Sequence, residues 1–231
     1  MAGDVSECDV VEVGPGPGGL TRALLEAGAH RVLAVELDRR AIAAIEELRA
    51  AFPGRLDVLE ADATTLDLVA LTRPPRQLAA NLPYNVATPL LIGWLRQAGS
   101  WQRMTLMFQL EVAERICAAP DTSGYGRLAV LSQWLCETSL LLRLPPGSFS
   151  PPPKVWSAVV GLVPHAVQPE PELVRVMERL TAAAFGQRRK MLRGSLKSLG
   201  GEALLNRGEI APERRAETLT VAEWDRLARL L

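Results

Sequence analysis

Residues 81–84, Asn81-Leu82-Pro83-Tyr84, open the run NLPYNVATPLL and place an amide, a proline and a phenol directly behind an apolar stretch. Proline removes a backbone donor and restrains the residue before it, so this tetrapeptide is a poor helix and a poor strand. Its groups suit one chemical task. The exocyclic amino group of an adenine is a weak nucleophile, because its lone pair is delocalised into the ring. Two oxygen acceptors aimed at its hydrogens draw the nitrogen towards a tetrahedral shape and free that pair. The Asn81 side-chain oxygen is one such acceptor, and the Pro83 carbonyl is read as the other. Tyr84 offers a flat face on which an everted base can stack. A strand-ending turn accounts for Asn and Pro singly, but does not call for all four residue types in this order.

A second constellation precedes it. In VEVGPGPGG (11–19), Gly14, Gly16 and Gly19 satisfy G-x-G-x-x-G, which lets the backbone turn tightly and approach a ligand. By itself the pattern serves NAD, FAD and S-adenosylmethionine alike. Glu36, about 20 residues further on, is placed to take both hydroxyls of a ribose, with Leu37 beside it. Asp62 can accept from an adenine amino group while the Ala63 amide donates to a ring nitrogen. Glu12, next to the loop, suits a cationic sulfonium better than a pyrophosphate and tilts the reading towards S-adenosylmethionine. With an activated methyl on sulfur, catalysis at residues 81–84 needs positioning and dipoles more than a general base.

These residues require a sheet that brings strand ends to one edge. Apolar runs at 9–14, 31–37, 55–62, 76–82 and 103–109 read as strands, and 18–29, 38–52, 88–98 and 110–119 as helices between them. That alternation predicts an α/β fold with a mostly parallel sheet covered on both faces. Residues 139–164 read as two strands joined by a proline-rich connection, an antiparallel hairpin on the sheet's edge. Beyond PHAVQPEPE the chain reads as purely helical, which divides it into a catalytic domain at 1–164 and a small all-α domain at 165–231.

Composition narrows the class. A hydrophobic share of 48% and a charged share of 23% are those of a globular protein. Cys8, Cys117 and Cys136 are far apart, which argues against a disulfide framework or a zinc site and suits a reducing cytoplasm. No metal site is read, His30 and His165 are isolated, and no run is long enough to span a membrane. The acidic start has no signal-peptide core. Net charge is zero, yet residues 1–70 hold 6 Lys/Arg against 13 Asp/Glu, and the remainder 20 against 13. GQRRKMLRGSLK (186–197) gathers Arg188, Arg189, Lys190, Arg193 and Lys197 with no acid close by in sequence. On a helix, Arg189, Arg193 and Lys197 would form a stripe suited to phosphates, with Met191 and Leu192 turned inward. A solvated basic face explains the same run equally well. Lys154, in the proline wall SPPPKV, is placed near a phosphate, and Phe149 is a candidate second stacking face.

VVEVGPGPGGLT, VELDR, NLPYNVATPLL, FSPPPKVWSAVV and FGQRRKMLRGSL together resemble the small-subunit ribosomal RNA adenine N6,N6-dimethyltransferase family. The motifs run from residue 10 to about 220. The resemblance implies a Rossmann-like methyltransferase sheet with a small helical RNA-binding domain, and S-adenosylmethionine as methyl donor. It further implies dimethylation of two adjacent adenosines near the 3′ end of small-subunit rRNA, by a cytoplasmic monomer acting within a pre-ribosomal particle. The family's cofactor contacts fall on Gly14, Glu36, Asp62 and Asn81, and its adenine clamp on Asn81 through Tyr84. A Gln-Asn-Phe-Leu-like segment that usually precedes the glycine loop has no counterpart, so weak cofactor binding is expected. Two other readings stand beside this one: a resistance-type methyltransferase acting on large-subunit rRNA, which shares the tetrapeptide, and a largely non-catalytic assembly factor.

Overall fold

The computed structural model describes residues 3–187 and 189–231, the Asn85 side chain excepted. All five residues of the first strand, β1 (Asp9–Val13), are buried, the two-sided burial of a parallel strand beneath helices. The chain then alternates through α1 (Gly19–Glu26), β2 (Arg31–Glu36), α2 (Arg39–Ala51), β3 (Leu56–Glu60), β4 (Arg76–Asn81), α3 (Tyr84–Leu95), β5 (Arg103–Gln109) and α4 (Leu110–Ile116). After α5 (Arg127–Leu135) come β6 (Cys136–Leu144) and β7 (Ser157–Pro164). The strands make one sheet in the order β3-β2-β1-β4-β5-β7-β6. β1 pairs in parallel with both β2 and β4, and β4 with β5, while β7 runs antiparallel to β5. The expected α/β sheet with an antiparallel edge is therefore what forms.

The strand order reverses between β1 and β4, so the loops after these two strands leave the same edge side by side. Open α/β sheets bind ligands at that crevice. Leu24 and Leu25 of α1 and Ile45 and Leu48 of α2 pack with Val10, Val32 and Ala34 into one apolar cluster that fixes this edge.

The chain divides into two compact units. The first runs to Ala113 and resumes over Ser139–Ala166, and the second comprises Glu114–Thr138 and Val167–Leu231. The chain crosses between the units three times, and the expected single division after residue 164 lies near the last crossing alone. Residues 114–138 belong with the helices α6 (Pro171–Phe185), α7 (Leu192–Ser195), α8 (Gly201–Arg207) and α9 (Val221–Arg229). The reason is packing: Trp134 Nε1 donates to Asp225, Gln168 donates to the Leu135 carbonyl, and Phe185 meets Tyr125 edge to face and Trp224 at a tilt.

Two local expectations change. α3 begins at Tyr84 rather than Thr88, with Pro83 as its N-cap and Pro89 tolerated inside it. The helix expected over 188–199 is not continuous. Arg189 and Lys190 lie in a turn, α7 covers Leu192–Ser195, and a 3-10 turn covers Lys197–Leu199. The Leu192 and Arg193 amides donate instead to the Arg214 and Pro212 carbonyls, at 2.8 and 3.1 Å, so a neighbouring loop starts this helix. The basic stripe at helical spacing is consequently absent.

Candidate active site at the carboxyl edge of the sheet

Register aligns the predicted residues. Val13 of β1 lies opposite Val35 of β2 and Ala80 of β4, which puts Gly14, just past β1, beside Glu36 and Asn81, the last residues of β2 and β4. Gly14 has φ +70°, and its amide donates to the Val35 carbonyl at 3.0 Å. A Cβ added there would sit 3.4 Å from the Asn81 carbonyl oxygen and 3.8 Å from Pro83 Cδ. The glycine loop and the tetrapeptide are thus in contact, and the left-handed φ is what favours glycine here, since the approach alone would leave a Cβ in ordinary van der Waals contact.

Glu36 organises the loop. One carboxyl oxygen accepts from the Leu37 and Asp38 amides, and the other from the Gly16 amide at 3.3 Å. Three amides leave part of the carboxylate's capacity of about four acceptor sites for a ligand hydroxyl. Leu37, at 66% exposure, offers an apolar side chain next to it. Asp62 accepts from the hydroxyl and the amide of Thr64, bonds that hold its carboxyl below the usual carboxylate range. Ala63 follows it, half-buried, at the start of a 3-10 turn. These groups fit a nucleoside with a ribose diol.

Glu12 departs from the expectation. It is buried rather than open to the loop's outer side, and its carboxyl takes the Thr21 hydroxyl of α1 at 2.6 Å. Burial pushes its carboxyl up to about 7 against the lowering effect of Thr21.

The tetrapeptide forms one wall of a pocket of about 280 Å³, lined by Asn81 through Tyr84 and, from the β6–β7 connector, by Phe149, Pro151 and Pro153. Ligand pockets usually run to about 300–1,000 Å³, so this one suits a single base. Among the described residues nothing takes a hydrogen bond from the exposed Asn81 side chain. The Pro83 carbonyl accepts from the Val86 amide at 3.1 Å as α3 begins. The helix thus engages one of that carbonyl's two acceptor sites and leaves the other for its expected role towards the base. Among the described residues the Leu82 carbonyl receives no such amide, and it leaves a backbone acceptor next to Asn81.

The sequence missed Ser157, whose fully buried hydroxyl is 2.7 Å from the Tyr84 hydroxyl and fixes that ring against the wall. Nothing local in SAVV marks it, because the contact spans 73 positions. A larger hollow of about 730 Å³ lies between residues 63–67 and α3, but neither the glycine loop nor Asn81 lines it.

The sequence pattern of ribosomal RNA adenine dimethylases matches residues 5–231. A ribosomal RNA small subunit methyltransferase A from Gluconobacter oxydans is 64% identical over 230 residues, covering 100% of this chain and 76% of the relative. The chain belongs to the ribosomal RNA adenine dimethylase family. A second relative of the same description, from Paramagnetospirillum magneticum, is 54% identical over 231 residues, 100% of this chain and 82% of its own. Among solved structures, a dimethyladenosine transferase from Plasmodium falciparum has a TM-score of 0.82 at 25% identity, covering 98% of this chain and 90% of that one. A 23S rRNA methyltransferase has a TM-score of 0.73 at 26% identity, covering 100% and 93%. Adenine dimethylases take their methyl groups from S-adenosylmethionine, and the Gly14, Glu36 and Asp62 arrangement accords with that donor.

As a member of the adenine dimethylase family the chain has a nucleic acid to hold, and its candidate contacts are scattered. Lys154, Arg189, Lys190 and Lys197 are exposed, whereas Arg188 lies outside the described residues. Arg189 and Lys190 line a hollow of about 460 Å³ with Phe185. Arg193 has an acid near it after all, Glu213 at 3.6 Å, supplied by the loop that starts α7. Met191 is 43% exposed and not turned inward, while Leu192 is buried. No helix among the described residues is long and apolar enough to cross a membrane.

Proposed function

We propose that this chain dimethylates N6 of two adjacent adenosines near the 3′ end of small-subunit rRNA, as a cytoplasmic monomer working on a pre-ribosomal particle. The observation that carries the proposal is the contact between Gly14 and Asn81, which joins the glycine loop to an open, base-sized pocket. Asn81 Oδ1 and the Leu82 carbonyl accept the two hydrogens of an everted adenine's amino group. Tyr84, braced by Ser157, and Phe149 supply aromatic faces to its ring. S-adenosylmethionine supplies an activated methyl group on a sulfonium when bound. Gly14, Gly16, Glu36, Leu37, Asp62 and Ala63 hold its nucleoside end, with Glu12 buried next to the loop. The dipoles at residues 81 and 82 act at the moment positive charge develops on the nitrogen, which is where fixed acceptors lower a barrier most. Lys154 in the first unit is a phosphate contact, and the basic groups of the second unit are separate ones.

The test is transfer of labelled methyl groups to unmethylated small ribosomal subunits. Asn81→Ala is expected to lower turnover on the order of 100-fold, the scale of losing one preorganised hydrogen-bonding group, with particle binding retained. Unaltered methylation would remove the clamp from consideration. Mapping the modified nucleotide separates this reading from a large-subunit activity. That alternative draws support from the fold it shares with the solved 23S rRNA methyltransferase, whereas the relatives named for the small subunit support the first. Normal particle maturation by an inactive Asn81 variant would favour an assembly role.

A further inference from the structure

The connector that walls the base pocket continues past it. Beyond Pro151 and Pro153 come Lys154, Val155 and Trp156, all exposed, the indole at 48%. The other tryptophans are differently placed. Trp94, Trp101 and Trp224 are 5%, 3% and 0% exposed, and Trp134 is half-buried with its Nε1 bound to Asp225. Trp156 is nevertheless on a firm backbone. Its carbonyl accepts from the Leu110 amide at 2.9 Å, and the next residue is Ser157, buried and bound to Tyr84. Three residues of extended chain reach at most about 10 Å, so the indole stands close beside the pocket. Packing does not explain an indole anchored in this way and left in water.

We propose that Trp156 and Lys154 form a second nucleotide platform, where an unpaired nucleotide flanking the target adenosine stacks on the indole and sets its phosphate against the lysine. The proposal rests on the base-pocket reading above and extends it by one nucleotide. Everting one base strips its neighbours of a stacking partner, and an aromatic face replaces that partner whatever the neighbour's sequence. A lysine two residues away supplies the point charge a phosphate needs. The continuity of the platform with the pocket wall favours RNA as the occupant. Two exposed apolar side chains, Val155 and Trp156, directly after a lysine also fall well short of a stable protein interface, which buries about 800 Å² per partner.

The full chain is titrated with a synthetic RNA stem-loop carrying two adjacent loop adenosines flanked by unpaired nucleotides. The platform predicts quenching of tryptophan fluorescence that disappears in Trp156→Phe, since that variant removes the exposed indole but keeps a stacking face. Trp156→Ala is expected to bind the stem-loop on the order of tenfold more weakly, with Trp156→Phe close to the unsubstituted chain. On unmethylated small subunits, Trp156→Ala raises KM and leaves kcat unchanged. Absent quenching, equal binding by the alanine variant, equal losses in both variants, or an indole covered by a second copy of the chain in light scattering would each overturn the platform. The base-pocket reading fails on a different result, methylation retained by Asn81→Ala, so the two failures are distinguishable.

Discussion

At Glu12, a buried carboxyl next to the glycine loop accepts from the Thr21 hydroxyl of α1. It is 1% exposed, and burial lifts it from 4.5 to about 7. Between those values the folded chain holds a proton that the unfolded chain has released. The stability this contributes is complete below pH 4.5 and is lost as pH rises through about 7. A shift of this size corresponds to about 3 kcal/mol. Glu12→Gln removes the dependence, so the variant should gain on the unsubstituted chain by about that amount between pH 4.5 and pH 8. Denaturant midpoints at several pH values would show it, and parallel profiles would refute it. The sequence put Glu12 beside the ligand because adjacency to the loop was all it revealed. The burial of both faces of β1 decided otherwise, and strand periodicity cannot signal that in a run with no polar face. Gly14, Glu36 and Asp62 were legible because their spacing itself encodes successive strand ends.

Elements carry the next level of positioning. Tyr84 is the first residue of α3, and its hydroxyl is tied to the first residue of β7, so one hydrogen bond joins the start of a helix to the edge of the sheet. Ser157→Ala should release the ring while leaving the pocket wall in place. Turnover is expected to fall by roughly 3- to 10-fold, the worth of about 1 kcal/mol for one such bond, with Ser157→Thr restoring most of it. Comparing kcat across the three forms on unmethylated small subunits checks this; equal losses for threonine and alanine would point to packing instead. The sheet was legible because apolar runs alternate with amphipathic ones. Two features were not. α5 is buried on many sides and shows little helical periodicity, with Leu128, Ala129, Val130, Leu131 and Ser132 all enclosed in succession. The 188–199 segment has helix-forming residues, but its amides are claimed by carbonyls of residues 212 and 214, a tertiary choice that overrides propensity.

For the whole molecule, charge is arranged in a way that net charge conceals. Residues 1–70 carry a net −7 and the remainder +7, so the part bearing most of the proposed cofactor contacts is acidic and the rest can meet a polyanion. The contributions within the basic part are unequal. Arg189 and Lys190 are exposed and together line a hollow in the second unit. Arg193, by contrast, has Glu213 at 3.6 Å and must exchange that partner for a phosphate. Each cation that replaces a counterion on RNA contributes about 0.7 to 0.9 to the slope of log affinity against log salt. Replacing both Arg189 and Lys190 with alanine should therefore flatten the slope by about 1.4 to 1.8, while Arg193→Ala removes less than one full contact. Glu213→Gln should act in the opposite sense, freeing Arg193 and steepening the dependence. Binding of unmethylated small subunits across a salt series separates these outcomes. A slope indifferent to Arg189 and Lys190 would mean that the turn ahead of α7 is only a solvated surface, and that the RNA is held elsewhere.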